Sequence, residues 1–397
     1  MKIDRNKKWE EGTLSKMTKI LQNDKQWQKY YKMTKVIVFL IWEVIYTMSN
    51  PFNISFGEEP INMISRENEL KDIISTFESE QPETKTYIIT GPRGSGKTVL
   101  LSKVKEHFEQ TKNWLTIELN SYIGMLEQLA SKIYDKGKIK HLFLKTEFNF
   151  SFHGLSFSIK GENPITNVAS LLDLMFEYLN KKNIKVFISI DDISSNEFVR
   201  PFIHSYQSFV REKYKVFIII SGLYENVSNL ESEKSLTFLL RAPKVYLPNL
   251  SLREISYSYK DIFNIDDKTS IKLAKLTNGY AYAYQLLGNL LYKDNLKDVN
   301  KTILEKYDLQ LENNVYSIIW KSLSKKEKDI LIAIAKTDGK IKDILIEANI
   351  SNSALQVYKK RLLNNGLINT NTRGIILFNL PRFKDFVLFQ NELLLAE

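Results

Sequence analysis

Three runs of the sequence are apolar without alternation: TYIIT at 86–90, KVFISI at 185–190 and KVFIIISG at 215–222. A strand covered on both faces loses the polar half of its period-two pattern, so these runs predict neighbouring strands of a buried parallel sheet. Helical spacing of apolar positions marks TVLLSKVKEHFEQ (98–110) and NVASLLDLMFEYLNKKN (167–183). SLTFLLRAPKVYLPNL (235–250) predicts a short helix running into a further strand. FNFSFHGLSFSIKG (148–161) alternates around His153-Gly154 and predicts a hairpin with Phe148, Phe150 and Phe152 on one face. The hairpin is read as packing on the sheet or as offering a partner-binding edge. Strands and helices alternating in this way predict an α/β domain with a five-stranded parallel sheet.

From Ser251 to Ser322 the pattern is helical throughout, as in a helical lid followed by a connecting helix. SKKEKDILIAIAK, KIKDILIEANI and SNSALQVYKKRLLNNGLI then predict three helices. Ser351 or Ser353 caps the third and Gly366 ends it. INTNTRGIILFNLPRF (368–383) reads as a turn-rich two-strand wing, which makes the last module a winged helix-turn-helix. The expected domains are 1–47, an N-terminal extension; 48–250, the nucleotide core; 251–322, the lid and connecting helix; and 323–397, the winged helix. VIVFLIWEVIYTM (36–48) is the most apolar stretch, but it is short of the roughly 20 residues a membrane span needs and Glu43 interrupts it. No stable membrane insertion is expected. The stretch reads as a docking helix, as an interfacial anchor, or as sequence outside the native protein with Met48 the true start; the last reading is favoured.

Composition narrows the chemistry. The chain has no cysteine, which excludes disulfides, thiolate zinc sites and thiol nucleophiles and fits a reducing, cytoplasmic setting. Its four histidines are scattered, with no carboxylate at metal-ligand spacing. The net charge of +10 is carried by the two ends, residues 1–50 and 321–397, while the middle sums to about zero. Attraction to nucleic acid would therefore sit at the ends.

Gly91-Pro92-Arg93-Gly94-Ser95-Gly96-Lys97-Thr98 matches G-x-x-x-x-G-K-[ST] in full, between a strand pattern and a helix pattern. Glycines let the backbone wrap phosphates with its N–H groups turned inward, and the helix start adds its positive end. Lys97 would reach the β- and γ-phosphates and Thr98 would offer its hydroxyl to Mg²⁺. Asp191 and Asp192 follow the 185–190 strand, at the edge where a parallel sheet binds ligands. Asp191 would hold the metal through water and Asp192 would polarise the attacking water; a plain capping turn is the alternative. Ser221 ends the 215–222 strand, where P-loop ATPases with an extra strand carry a polar residue that touches the γ-phosphate or the water; a plain strand-ending turn residue is the alternative. Arg241, between helix and strand, would reach the γ-phosphate of a neighbouring subunit or remain a solvated arginine.

Together with NPFNISFGEEPINMISRENEL (50–70) and LTNGYAYAYQLLGNLL (276–291), these features resemble the AAA+ superfamily, within it the origin-recognition-like and STAND-type prokaryotic ATPases, over roughly residues 50–380. The resemblance implies that Ile64-Ser65-Arg66-Glu67 lies beside the adenine, although a Gly usually stands where Ser65 is. Two departures matter. The usual Asp-Glu is Asp191-Asp192, whose shorter second side chain implies slower water activation. The lid carries Ala281 where such switches often have a nucleotide-contacting proline, and no sensor arginine stands nearby.

The function expected is ATP binding with slow Mg²⁺-dependent hydrolysis, used as a conformational or assembly switch with self-association through Arg241. Two other readings stay open. One is a DNA-binding ATPase of initiator or transposition type, with Lys359, Lys360, Arg361 and Arg373 on duplex DNA. The other is a non-hydrolysing ATP-bound scaffold. Off DNA, the winged helix would serve as a protein-protein spacer or, as the resemblance to STAND-type ATPases implies, pack on the nucleotide domain.

Overall fold

A computed structural model describes residues 50–55, 60–136, 146–152, 155–159, 163–164 and 167–396. The expectations for residues 1–47 and Met48, and for the His153-Gly154 turn, lie outside the described residues. The chain divides at Pro51, and Phe52–Glu397 form one compact unit.

Its first part is α1 (Glu67–Glu78), β1 (Thr86–Thr90), α2 (Lys97–Gln110), β2 (Trp114–Leu119) and α3 (Met125–Lys136). Next come β3 (Thr146–Phe152), β4 (Leu155–Ile159), β5 (Asn163–Pro164), α4 (Val168–Lys181), β6 (Lys185–Ile190), α5 (Val199–Arg211), β7 (Val216–Gly222) and α6 (Tyr224–Ser232). A 3₁₀ helix, Lys234–Arg241, stands where a short helix was expected and leads into β8 (Lys244–Tyr246). Five strands pair in parallel in the order β2-β6-β7-β1-β8. Strands β3 and β4 form the expected antiparallel hairpin, with β5 along its other side.

The apolar runs are explained by burial on both faces. Every residue of β1 and β7 is buried. Alternate side chains enter two separate cores: Ile88, Ile188, Ile218 and Ile220 meet α3, α4 and α5 on one side, and Tyr87, Ile89, Phe187 and Phe217 meet α1 and α2 on the other. Thr90 pairs with Gly222, and Ile190 with Ile220. That register brings the carboxyl ends of β1, β6 and β7 to one edge, with β7 between the other two.

The second part is helical: α7 (Leu252–Phe263), α8 (Asp267–Thr277), α9 (Ala281–Lys293), α10 (Lys301–Leu311), a π turn over Glu312–Tyr316, and α11 (Ser317–Ser322). Then follow α12 (Lys325–Lys336), α13 (Ile341–Glu347), α14 (Asn352–Asn364), the antiparallel pair β9 (Ile368–Asn369) and β10 (Leu377–Phe378), and α15 (Phe383–Ala396). Helix α15 was not anticipated from the sequence, although its buried Phe383, Phe386 and Val387 have helical spacing. Ser324 and Glu327 close α12 with a reciprocal capping box, Ser351 caps α14, and Gly366 turns left-handed at φ 68° just beyond it. One apolar core runs continuously from the lid through this last module. Phe52 is buried in the same core, between Tyr259, Phe263 and Tyr284. Gly288 of α9 makes room for it, since a Cβ there would collide with the Phe52 ring.

Candidate nucleotide site

Strand β1 delivers the chain to Gly91, and α2 departs from Lys97. Between them Gly94 and Gly96 hold φ of 73° and 92°, the left-handed region natural to glycine. Ser95 is 5% exposed, and its hydroxyl has no hydrogen-bond partner among the described residues. A phosphate oxygen would satisfy such an orphaned group in a loop of this shape. Lys97 Nζ donates to the carbonyls of Gly91 (3.0 Å) and Pro92 (2.9 Å). Burial lowers this ammonium's pKa to about 8, Asp191 and then Asp192 oppose the shift, and Arg93 adds to it. A poorly hydrated cation gains most from an arriving anion.

Asp191 is fixed by three donors, two from neighbouring elements and one from the residue that follows it. Thr98 Oγ1 donates to its Oδ2 at 2.7 Å, and Ser221 Oγ and the Asp192 N–H (3.0 Å) both donate to its Oδ1. The structure thus brings Lys97, Thr98, Asp191 and Ser221 together. Asp192 is exposed and sits at φ 49°, a backbone state uncommon for residues other than glycine and asparagine. These groups fit an Mg²⁺–nucleotide pair: Mg²⁺ keeps water and phosphate ligands and asks for only one or two protein oxygens, which Thr98 and Asp191 would supply. Arg241 ends the 3₁₀ helix, is exposed, and makes no hydrogen bond or ion pair among the described residues.

The DNA candidates lie elsewhere. Lys360, Arg361 and Arg373 are exposed and Lys359 is half-buried. Arg361 is already engaged within the chain, 3.4 Å from Glu225 at the start of α6 and 3.3 Å from Glu327. Asn365 also donates to Glu225, at 3.3 Å. Gly366 lies so close to the phosphate loop that a Cβ on it would stand 2.8 Å from the Pro92 ring.

Other contacts left almost no trace in the sequence. Arg66 Nη2 donates to Ser95 O (3.0 Å) and to Pro248 O (2.9 Å), tying the loop to the segment that leads into the lid. Burial lowers the pKa of its guanidinium, with Glu69 opposing. Besides the resemblance at 64–67, the hint is its place: Arg66 occupies the N-cap of α1, where a cation meets the positive end of a helix. A cavity of about 430 Å³ opens beside it, lined by residues 64–69, residues 248–251 and Glu254. It borders the segment that the resemblance sets beside adenine. From the lid, Tyr280 Oη donates to Arg93 O, and the Tyr282 N–H donates to Gly94 O at 3.1 Å.

Residues 63–238 match the family model described as an ATPase domain predominantly from Archaea, and residues 313–387 match a domain of unknown function, DUF8462. No match was found among curated proteins. Among solved structures, a Walker-type ATPase of Pyrococcus abyssi is similar at 13% identity and a TM-score of 0.59, over 84% of this chain and 99% of that one. The ORC2 protein of Aeropyrum pernix, in ADPNP-ADP complexes, is similar at 13% identity and a TM-score of 0.51, over 87% of this chain and 98% of that one. At these identities the likeness is one of fold. The chain thus has the α/β fold of the P-loop ATPases, and its residues 63–238 match their archaeal ATPase-domain family.

Proposed function

We propose that this protein binds ATP with Mg²⁺, hydrolyses it slowly, and uses the nucleotide to set the position of its C-terminal module. The observation that carries this reading is the seat of that module: Gly366 packs on Pro92 of the phosphate loop, while Arg361 and Asn365 reach Glu225 just after β7. A module in contact with the loop that would wrap the phosphates is placed to respond when they arrive.

The residues would divide the work as follows. The loop N–H groups from Gly91 to Thr98 and the start of α2 would cradle the phosphates, and Lys97 would neutralise them. Thr98 and Asp191 would hold Mg²⁺, whose charge would offset that on the transferred phosphoryl group. Ser221, already on Asp191, would orient the same end of the site. Asp192 would polarise water, and its short, exposed side chain supports slow turnover. Arg241, exposed and unengaged among the described residues, would serve a neighbouring copy in an ATP-dependent assembly.

A DNA-licensed ATPase draws support from exposed Lys360 and Arg373. One experiment separates the readings: ATP binding and turnover by the full chain and by Lys97→Ala, with and without duplex DNA. Slow turnover that needs Lys97 and ignores DNA supports the switch. Stimulation by DNA supports the DNA-licensed reading, and binding without turnover supports a scaffold. Absence of ATP binding by the wild type would sink all three.

A further inference from the structure

The carbonyls of the phosphate loop are taken up in sequence order, first by Lys97 of the loop and then by side chains and backbone from elsewhere in the chain. Gly91 O and Pro92 O accept from Lys97, Arg93 O from Tyr280, Gly94 O from the Tyr282 N–H, and Ser95 O from Arg66. A peptide group is planar and turns as one piece. The Arg93 carbonyl therefore moves with the Gly94 N–H, and the Gly94 carbonyl moves with the Ser95 N–H. Those are N–H groups that a bound phosphate would draw to itself, the Ser95 N–H away from Pro92 O, to which it donates at 3.3 Å. Whatever turns them also turns the two carbonyls that the lid holds.

The lid is poorly able to ignore such a turn. Tyr280 is 1% exposed, and a buried hydroxyl that loses its acceptor is penalised. At Gly94, φ 73° and the closeness of Tyr280 Oη and Tyr282 Cβ leave no space for a side chain, so lid and loop meet backbone to ring. Tyr282 also faces the other way. Its hydroxyl accepts from Asn314 Nδ2 at 2.8 Å, and Asn314 lies in the π turn between α10 and α11. Two residues on, Tyr316 Oη donates to Pro381 O, and Arg382 pairs with Asp308 just before the turn. The widened turn, a feature often found at functional positions, thus grips the lid through Asn314 and the C-terminal module through Tyr316.

We propose that Tyr280 and Tyr282 are positioning residues through which the lid reads the phosphate loop, and that Asn314 passes this reading to the C-terminal module. The proposal rests on the ATP-binding reading above. It assigns to two tyrosines the lid-based sensing for which the sequence offered neither an arginine nor a proline.

The test is amide hydrogen exchange of the full-length protein with and without ATP and Mg²⁺, followed over residues 312–316 and over 382–387, beyond the carbonyl that Tyr316 holds, with ATP binding measured separately. In the wild type, nucleotide changes exchange in both segments. Tyr280→Phe, Tyr282→Phe and Asn314→Ala each reduce that change by about fivefold or more, the lower range of ordinary coupling. Asn314 is exposed and meets the loop only through Tyr282, so Asn314→Ala folds and still binds ATP. A wild type that binds ATP with no response at 312–316 overturns the proposal, and so do variants that respond as the wild type does. Failure of the wild type to bind ATP is read in the separate measurement, and it removes the underlying reading as well.

Discussion

Around the parallel sheet the buried side chains are mostly isoleucine, valine, leucine and phenylalanine. In the lid and the C-terminal module, five buried tyrosines stand among the aliphatic residues: Tyr259, Tyr280, Tyr284, Tyr307 and Tyr316. Each of these hydroxyls is hydrogen-bonded. Tyr259 donates to Tyr284 O, Tyr280 to Arg93 O, Tyr307 to Leu276 O and Tyr316 to Pro381 O, while Tyr284 meets Ser258 and Asn62. An aliphatic core tolerates small slides, because dispersion and burial are nearly indifferent to direction. A hydroxyl tied to one carbonyl is not indifferent. The parallel ladder of backbone hydrogen bonds, not its aliphatic side chains, makes the sheet a fixed platform, and the tyrosine-studded body suits a part with defined alternative seats.

The contrast can be broken most forcefully in the sheet. Phe187→Ala empties a fully buried site against Phe77 and Phe108, and should cost about 3–5 kcal/mol in urea unfolding. Next comes Lys97, whose ammonium is easier to deprotonate in the folded chain than in the unfolded one. Above about pH 8 the folded state has lost this proton, while the unfolded chain keeps it up to the ordinary 10.5. The unfolded state then binds more protons, so stability from this group rises with pH across that window. Comparison with Lys97→Met between pH 7 and 10 should reveal a wild-type gain of about 2–3 kcal/mol; a fall would refute the sign.

Tyr307→Phe removes one directional bond and leaves Leu276 O unanswered, for a loss of about 1–2 kcal/mol. The same exchange at a tyrosine with no buried acceptor would be nearly silent. The smallest effect is expected from Glu225→Ala, which removes the half-exposed pairing with Arg361 but leaves Arg361 on the buried Glu327; it should cost less than about 1 kcal/mol, and the cost should fade with added salt.

The platform was largely legible in the sequence. Its strands bury both faces and so write themselves as apolar runs, and a loop that must wrap phosphate admits few residue types. Asp191 and Ser221 could be placed near the loop because parallel strands present their carboxyl ends to one edge. The tyrosine-studded body was legible only as helices. Tyr280, Tyr282 and Arg66 act on backbone carbonyls, which every residue owns, so no partner residue marks them. Arg361 reads as a surface cation until α6 brings Glu225 to it. Helix α15 went unrecognised because its apolar spacing follows directly on a turn-rich segment.

Phe52 carries a consequence for how this protein can be divided. The boundaries drawn on the sequence assign it to the nucleotide core, yet it fills a notch at Gly288 in the lid, and Asn289 donates to its carbonyl at 2.9 Å. A gene fragment covering residues 48–250 would display an aromatic ring with no socket, and one covering 251–397 would keep a socket with no ring. Recombination at those boundaries would exchange neither part intact. The lid and the core are in this respect inherited together, with Phe52 serving as the stitch.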